Sequence, residues 1–241
     1  MRIAVTGAKG RMGQAVCAAV TAAGHDLVAT IDADDPFDLN GADVLIDFTV
    51  PSQTLTNVCQ GLASGAHVVV GTSGWDDQML ARVRQAQAEG NTNVLIAPNF
   101  SLAAVFMMRF AEMAAPYFTS VEVVEMHHPD KVDAPSGTAT ATAQRIAAAR
   151  ASTPAMPDAT QTDPQGTRGG TICDIPVHAL RLRGATAHQE VLLGNAGELL
   201  TIRADSFDRE SFMPGVLLAI DAIANLPGVT IGLEHALQLE D

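Results

Sequence analysis

The sequence predicts an α/β chain: a parallel sheet covered by helices on both faces, then a second, α+β domain with a mixed or antiparallel sheet. In the first half, short and nearly all-apolar β-type runs alternate with helical stretches, as they do when strands are buried on both faces. In the second half the pattern changes to strands joined by Gly and Asn turns, which suits antiparallel pairing. The chain has 241 residues, 47% of them hydrophobic, enough apolar material for one or two cored domains.

Arg2–Thr6 reads as a strand and Gly10–Ala23 as a helix, with Met12, Val16, Ala19 and Ala23 on one face. Leu27–Asp32 is a second strand and Asp43–Phe48 a third, and Pro51 opens a helix that runs to Ser64. Ala66–Val70 and Asn93–Ala97 are further strands, separated by a helix over Asp76–Ala88 and followed by another over Ser101–Ala115. Val121–His127 reads as a strand leading into a polar loop, with an Ala-rich helix from Gly137 to Arg150. Pro154, Pro157 and Pro164 among many Thr and Gly make 151–170 a long loop. Pro176–Arg183, His188–Leu193 and Glu198–Ala204 then form consecutive antiparallel strands, turning at Gly184 and Asn195–Gly197. Arg209–Ala224 is a final helix, apolar enough to pack against the first domain.

The charge balance narrows the function classes. Fourteen basic against 27 acidic residues give a net charge of −13, which repels nucleic acid and anionic membrane. Cys17, Cys59 and Cys173 are an odd, widely spaced set, so neither a disulfide framework nor a zinc cluster is indicated. The opening MRIAVTG lacks the layout of a signal peptide, and no apolar run approaches the ~18 residues of a spanning helix. A reduced, cytoplasmic protein is expected.

Gly7-Ala8-Lys9-Gly10-Arg11-Met12-Gly13 lies between the first strand and the first helix. Glycines there permit a tight turn and let backbone N–H groups approach a pyrophosphate at a helix N-terminus. The spacing is G-x-x-G-x-x-G rather than G-x-G-x-x-G, but the strand–turn–helix context supports a Rossmann-type dinucleotide site. Asp32 ends the second strand 19 residues after Gly13, placed to bind a ribose 2′-hydroxyl and so to favour NADH. Lys9 and Arg11 are placed for the 2′-phosphate of NADPH, so both cofactors are open. Gly71-Thr72-Ser73-Gly74, Ala97-Pro98-Asn99-Phe100 and Phe48-Thr49 also follow strand C-termini, where open α/β sheets bind ligands. The expected division is 1–101 plus 209–241 for the dinucleotide, and 102–208 for substrate binding and oligomerisation.

Residues 125–139, EMHHPDKVDAPSGTA, carry the chemistry. Among 14 basic residues only Lys9 and Lys131 are lysines, so a Lys inside a His-His loop suggests a titratable ammonium. Ser136 is placed as an N-cap, which turns the amides of Gly137 and Thr138 into donors for a carboxylate. His128 or Lys131 can hold the same anion, and His127 and Lys131 are candidates for proton transfer. Metal is not expected, since adjacent histidines chelate poorly from an extended strand.

Taken together, GAKGRMG, DFTVPS, GTSGW, APNFS, EMHHPDKVDAPSGTA and HQEVLLGNAGELLTIRADSFDRESFMPGVLLAI resemble the dihydrodipicolinate (4-hydroxy-tetrahydrodipicolinate) reductase family of lysine and diaminopimelate biosynthesis, in its actinobacterial form. The resemblance spans essentially the whole chain. It implies NAD(P)H-dependent reduction of a dicarboxylate, with His127 as catalytic acid/base and Lys131 as proton donor. His128, Gly137 and Thr138 would bind the substrate carboxylates. Gly7, Ala8, Lys9, Gly10, Arg11, Met12, Gly71, Thr72, Ser73, Ala97, Pro98, Asn99 and Phe100 would hold the cofactor, with Asp32 on the ribose. A homotetramer built through the second domain's sheet is implied as well. Ala33 follows Asp32 where some relatives carry Arg, which points away from a strong NADPH preference.

Two other functions compete. A semialdehyde dehydrogenase of this architecture needs a nucleophilic Cys at a helix start, and Cys17, Cys59 and Cys173 are not so placed. An NADH-sensing regulator needs a DNA- or partner-binding module, which an acidic chain without a basic helix does not offer.

Overall fold

The computed structural model describes residues 1–237, which divide into two compact units, 1–101 with 209–237, and Leu102–Asp208. Residues 238–241, the end of the range expected for the first domain, lie outside the described residues. The first unit opens with β1 (Arg2–Thr6), α1 (Arg11–Ala22), β2 (Asp26–Ile31), β3 (Val44–Asp47) and α2 (Pro51–Ala63). It continues with β4 (His67–Val70), α3 (Asp77–Ala88) and β5 (Val94–Ile96). The second unit holds α4 (Leu102–Ala114), β6 (Ser120–His127), α5 (Gly137–Ala149), β7 (Gly170–Ile172), β8 (Ile175–Arg181), β9 (Ala187–Asn195) and β10 (Glu198–Ser206). The chain then returns to the first unit with α6 (Met213–Ala222) and β11 (Val229–Ile231). Among the described residues, no helix is long and apolar enough to cross a membrane.

In the first unit six parallel strands run in the order β11-β5-β4-β3-β1-β2. Every residue of β3 is buried, as are Ile3–Thr6 of β1 and Val68–Val70 of β4, which explains their unbroken apolar runs. Pro51 sits in the first turn of α2, and Asp76 caps α3 by accepting from Met79 N at 2.8 Å. A methyl group on Gly61 would lie 2.7 Å from Leu45 Cδ2, so α2 packs closely on β3 only because that position lacks a side chain. On α1 the buried positions are Gly13, Val16 and Val20; of the face expected from the sequence, only Val16 is buried and Ala23 is exposed. The glycine turn sets this rotation, because α1 begins pressed against Gly7 and Ala8 through Gly13.

The second unit's sheet is mixed, ordered β10-β9-β6-β8-β7. β9 and β10 form the expected antiparallel hairpin. β8 and β9 are not neighbours, contrary to a run of consecutive antiparallel strands. β6 lies between them, parallel to β8 (Val123 opposite Val177, His127 opposite Arg181) and antiparallel to β9 (His127 opposite Ala187). The link around Gly184 passes over the end of β6, where Leu182 N donates to His127 O at 2.9 Å. Turn residues mark where a chain reverses but not which strand it returns beside.

Asp47, at the end of β3, is wholly shielded from water. It accepts from Thr6 Oγ1 (2.8 Å), Thr49 Oγ1 (2.9 Å), Thr54 Oγ1 (2.7 Å), Asn57 Nδ2 (2.8 Å) and Thr72 Oγ1 (2.8 Å). These donors come from β1, from α2 and from the loops after β3 and β4, so one carboxylate ties several C-terminal strand ends together. Asp47→Ala strands buried hydroxyls and is expected to cost about 3 kcal/mol or more, read from the urea unfolding midpoint. A loss below about 1 kcal/mol would show that water replaces the carboxylate without strain.

Candidate active site

Two groups of residues stand out, one in each unit. In the first, the backbone of Gly7 turns at φ +75°, and a Cβ there would lie 2.3 Å from Phe48 O. A Cβ on Gly13 would lie 2.0 Å from Gly7 O, so the first and third glycines of the motif are both sterically required. Gly10 is the N-cap of α1 and no side chain caps the helix, which leaves its opening turn to an anion. Asp32 follows β2 and accepts from Lys9 N at 3.1 and 3.2 Å, bracing the turn. Lys9 Nζ lies 3.5 Å from Asp35 and 3.9 Å from Asp32.

A cavity of about 490 Å³ opens beside this turn, lined by Gly7, Gly10 and Asp32 together with Asp35, Phe37 and Asn57. The last three were not singled out from the sequence, because they belong to no motif and enter from the loop after β2 and from α2. Ala8, Lys9, Arg11 and Met12 share the turn without lining the cavity. Gly71-Thr72-Ser73 and Ala97-Pro98-Asn99-Phe100 follow β4 and β5 at the same sheet edge. Phe48 joins them: its ring would be 2.0 Å from a Cβ on Gly71 and its centroid is 5.5 Å from that of Phe100. Thr72 Oγ1 accepts from Thr49 N at 2.9 Å, and Asn99 Oδ1 accepts from Ser101 N at 2.8 Å.

In the second unit, β6 ends in Glu125-Met126-His127. Glu125 is fully buried, and Arg181 of β8 bonds both of its oxygens at 3.0 Å. His127 Nδ1 bonds Glu125 Oε2 closely, and Ser136 N donates to Glu125 Oε1 at 3.2 Å. Arg181 Nη2 also donates to Asp133 O at 2.6 Å, and Lys131 Nζ donates to Asp133 Oδ1 at 2.7 Å. Ser136 Oγ accepts from Ala139 N at 3.1 Å, so the serine caps α5 as its sequence position predicts. Gly137 faces open space at the first turn and Thr138 follows it, partly buried; His128 is exposed on the loop.

Burial pushes the His127 imidazole below its ordinary pKa. Glu125 opposes that shift, while the charges of Lys131 and Arg181 reinforce it. The Lys131 ammonium, bonded to Asp133, holds that carboxyl below the usual range. The arrangement offers a neutral imidazole, an ammonium and a helix start on one short stretch of chain, a set suited to moving a proton beside a bound anion.

Family models decide the relationship: residues 1–100 match the dihydrodipicolinate reductase N-terminus and residues 103–237 its C-terminus. The chain belongs to the dihydrodipicolinate reductase family. A relative from Beutenbergia cavernae is 57% identical over 245 residues, covering 99% of each chain. One from Streptomyces coelicolor is 53% identical, covering 99% of this chain and 98% of its own. Both bear the name 4-hydroxy-tetrahydrodipicolinate reductase. Among solved structures, the dipicolinate-bound dihydrodipicolinate reductase from Paenisporosarcina sp. TG-14 is 34% identical, with TM-score 0.88 over 99% of both chains. The scyllo-inositol dehydrogenase of Lactobacillus casei, 12% identical with TM-score 0.61, shares the fold alone.

Glu125 and Arg181 were not singled out as site residues from the sequence of this family member. Glu125 stands inside the His-His block, but nothing local announces its partner 56 residues away. Ser136→Ala removes the cap of α5 and is expected to cost about 1 kcal/mol, read from thermal unfolding. An unchanged Tm would show that another group takes over the Ala139 amide.

Proposed function

We propose that the chain reduces 4-hydroxy-tetrahydrodipicolinate with hydride from NADH or NADPH, binding the nucleotide in the first unit and the dicarboxylate in the second. The chain is a 4-hydroxy-tetrahydrodipicolinate reductase, an oxidoreductase of lysine biosynthesis. Replacing the 4-hydroxyl by hydrogen consumes one hydride and one proton and releases water. The nicotinamide supplies the hydride when bound; the protein's own task is to hold the anion and to manage the proton.

The observation that carries this reading is the grouping around Glu125 and Arg181 in a member of this family. Lys131, an ammonium on a short loop, is the proton donor, and Asp133 steers it. His127 is the acid/base group at the end of β6. The capped start of α5, with Gly137 open to approach and Thr138 beside it, receives a carboxylate, and exposed His128 pairs with it. The dipicolinate held by the Paenisporosarcina relative is an aromatic dicarboxylate of matching charge, which supports this class of ligand here.

For the cofactor, the supporting features are the uncapped start of α1, the close-packed Gly7 and Gly13, and the adjoining cavity. Gly7–Met12 would hold the pyrophosphate, Gly71–Ser73 and Ala97–Phe100 the nicotinamide end, and Asp32 the ribose, with Asp32 and Asp35 favouring NADH over a 2′-phosphate. The family resemblance further supports a cytoplasmic homotetramer joined through the second unit's sheet. Edge strand β10, with Leu199 and Leu200 exposed, fits such a joint.

Lys131→Ala tests the assignment by steady-state kinetics. Turnover is expected to fall roughly 100-fold or more while the dissociation constant for NADH stays within about two-fold. Equal loss of NADH binding would remove Lys131 from the proton-donor role. In parallel, Thr138→Trp is expected to raise the Michaelis constant for the dicarboxylate, and an unchanged constant would take the carboxylate away from the start of α5.

A further inference from the structure

We propose that Glu125, locked to Arg181, is a positioning residue that fixes His127 with its proton on Nδ1 and so reserves Nε2 for the exchange of protons with substrate. The inference rests on the reading of His127 as the acid/base group, and it reaches residues to which that reading gives no role.

The argument starts from hydrogen-bond inventory. An ionised carboxylate can only accept, and each oxygen of Glu125 has an Arg181 nitrogen 3.0 Å away. The pair is therefore neutral as a unit, with Glu125 wholly buried. Against such an acceptor, the ring nitrogen that faces Glu125 has to bring the hydrogen. That nitrogen is Nδ1 of His127. In a neutral imidazole the lone pair is then on Nε2, so the tautomer is set by the buried Glu125 carboxylate rather than by solvent.

The groups around the ring agree. Glu125 faces it from β6, Arg181 from β8, and Lys131 from the loop that follows β6. Ala187, opposite His127 on β9, brings no charge, and α5 contributes the Ser136 amide to Glu125 rather than to the ring. Burial pushes the imidazole's pKa below its ordinary value, which favours the neutral ring. One pair also sets the neighbouring parts: Arg181 holds Asp133 O at 2.6 Å, Asp133 holds Lys131, and Glu125 holds the Ser136 amide at the start of α5. A Glu–Arg pair with a purely structural part to play would need neither the ring nor the loop carbonyl.

The test combines a spectrum of the wild-type enzyme with variant kinetics. Histidine ¹⁵N resonances of the wild-type enzyme are expected to show His127 as the Nδ1–H tautomer at neutral pH. Observation of the Nε2–H tautomer overturns the proposal directly. In Glu125→Gln the spectrum is expected to become a tautomer mixture. Turnover should fall roughly 100-fold, with the Michaelis constant for NADH within about two-fold of wild type. Loss of the carboxylate also removes what raises the imidazole's pKa, so the acid limb of the kcat–pH profile should move further to acid.

Glu125→Gln leaves the half-buried Arg181 guanidinium without its carboxylate partner, a change that can destabilise the unit. The double variant Glu125→Gln with Arg181→Met removes both charges at similar volume and is expected to show the same tautomer mixing and the same loss of turnover. A folded single variant with wild-type turnover and an unmoved acid limb, or a folded double variant with wild-type turnover, would overturn the proposal. If neither variant folds, the wild-type spectrum decides. His127→Ala separates the two levels: wild-type turnover there would end the reading of His127 as acid/base group, while the spectrum still reports whether Glu125 sets the ring.

Discussion

An ion pair between the fully buried Glu125 and the half-buried Arg181 is the constraint on which the arrangement of the second unit's candidate site depends. Removing the carboxylate from water costs several kcal/mol, and only a closely matched geometry offsets that cost. Here the match is bidentate, and the oxygens that face Arg181 also accept from His127 and from the Ser136 amide. The pair therefore does more than neutralise itself. It joins two neighbouring strands to the loop that carries Lys131 and to the start of α5, so that an imidazole, an ammonium and a helix N-terminus are held by one rigid centre.

The first unit solves a related problem by other means. Asp47 is as deeply buried as Glu125, yet its five partners are hydroxyl and amide groups rather than a cation. Neutral donors spread over several elements suit a residue that joins loops at a sheet edge. A guanidinium suits Glu125, because it compensates a fully buried carboxylate so that the pair adds no net negative charge to a very acidic chain. The same carboxylate chemistry thus braces a sheet edge in one unit and the group around His127 in the other.

Much of this was legible in the sequence, for physical reasons that can be named. The parallel sheet announced itself because strands buried on both faces, such as Val44–Asp47 and His67–Val70, leave continuous apolar runs. The glycine turn and the Ser136 cap were legible because both are local devices, set by a few adjacent residues. What escaped was set by distance or by brevity. β7 and β11 have three residues each and lack the continuous buried apolar run that marks the equally short β5. The parallel pairing of β6 with β8, the partnership of Glu125 with Arg181 and the gathering of donors on Asp47 depend on tertiary placement. The buried face of α1 escaped as well, because the glycine turn rather than the helix's own pattern sets its rotation.

The most direct test of the account is nicotinamide oxidation, followed by absorbance, with 4-hydroxy-tetrahydrodipicolinate generated in place by a dihydrodipicolinate synthase. The account predicts rapid, substrate-dependent oxidation, with NADH used at least as well as NADPH. A folded protein that binds NADH yet oxidises neither cofactor in the presence of substrate would contradict it, and would mean that the group around Glu125 and Arg181 serves another anion.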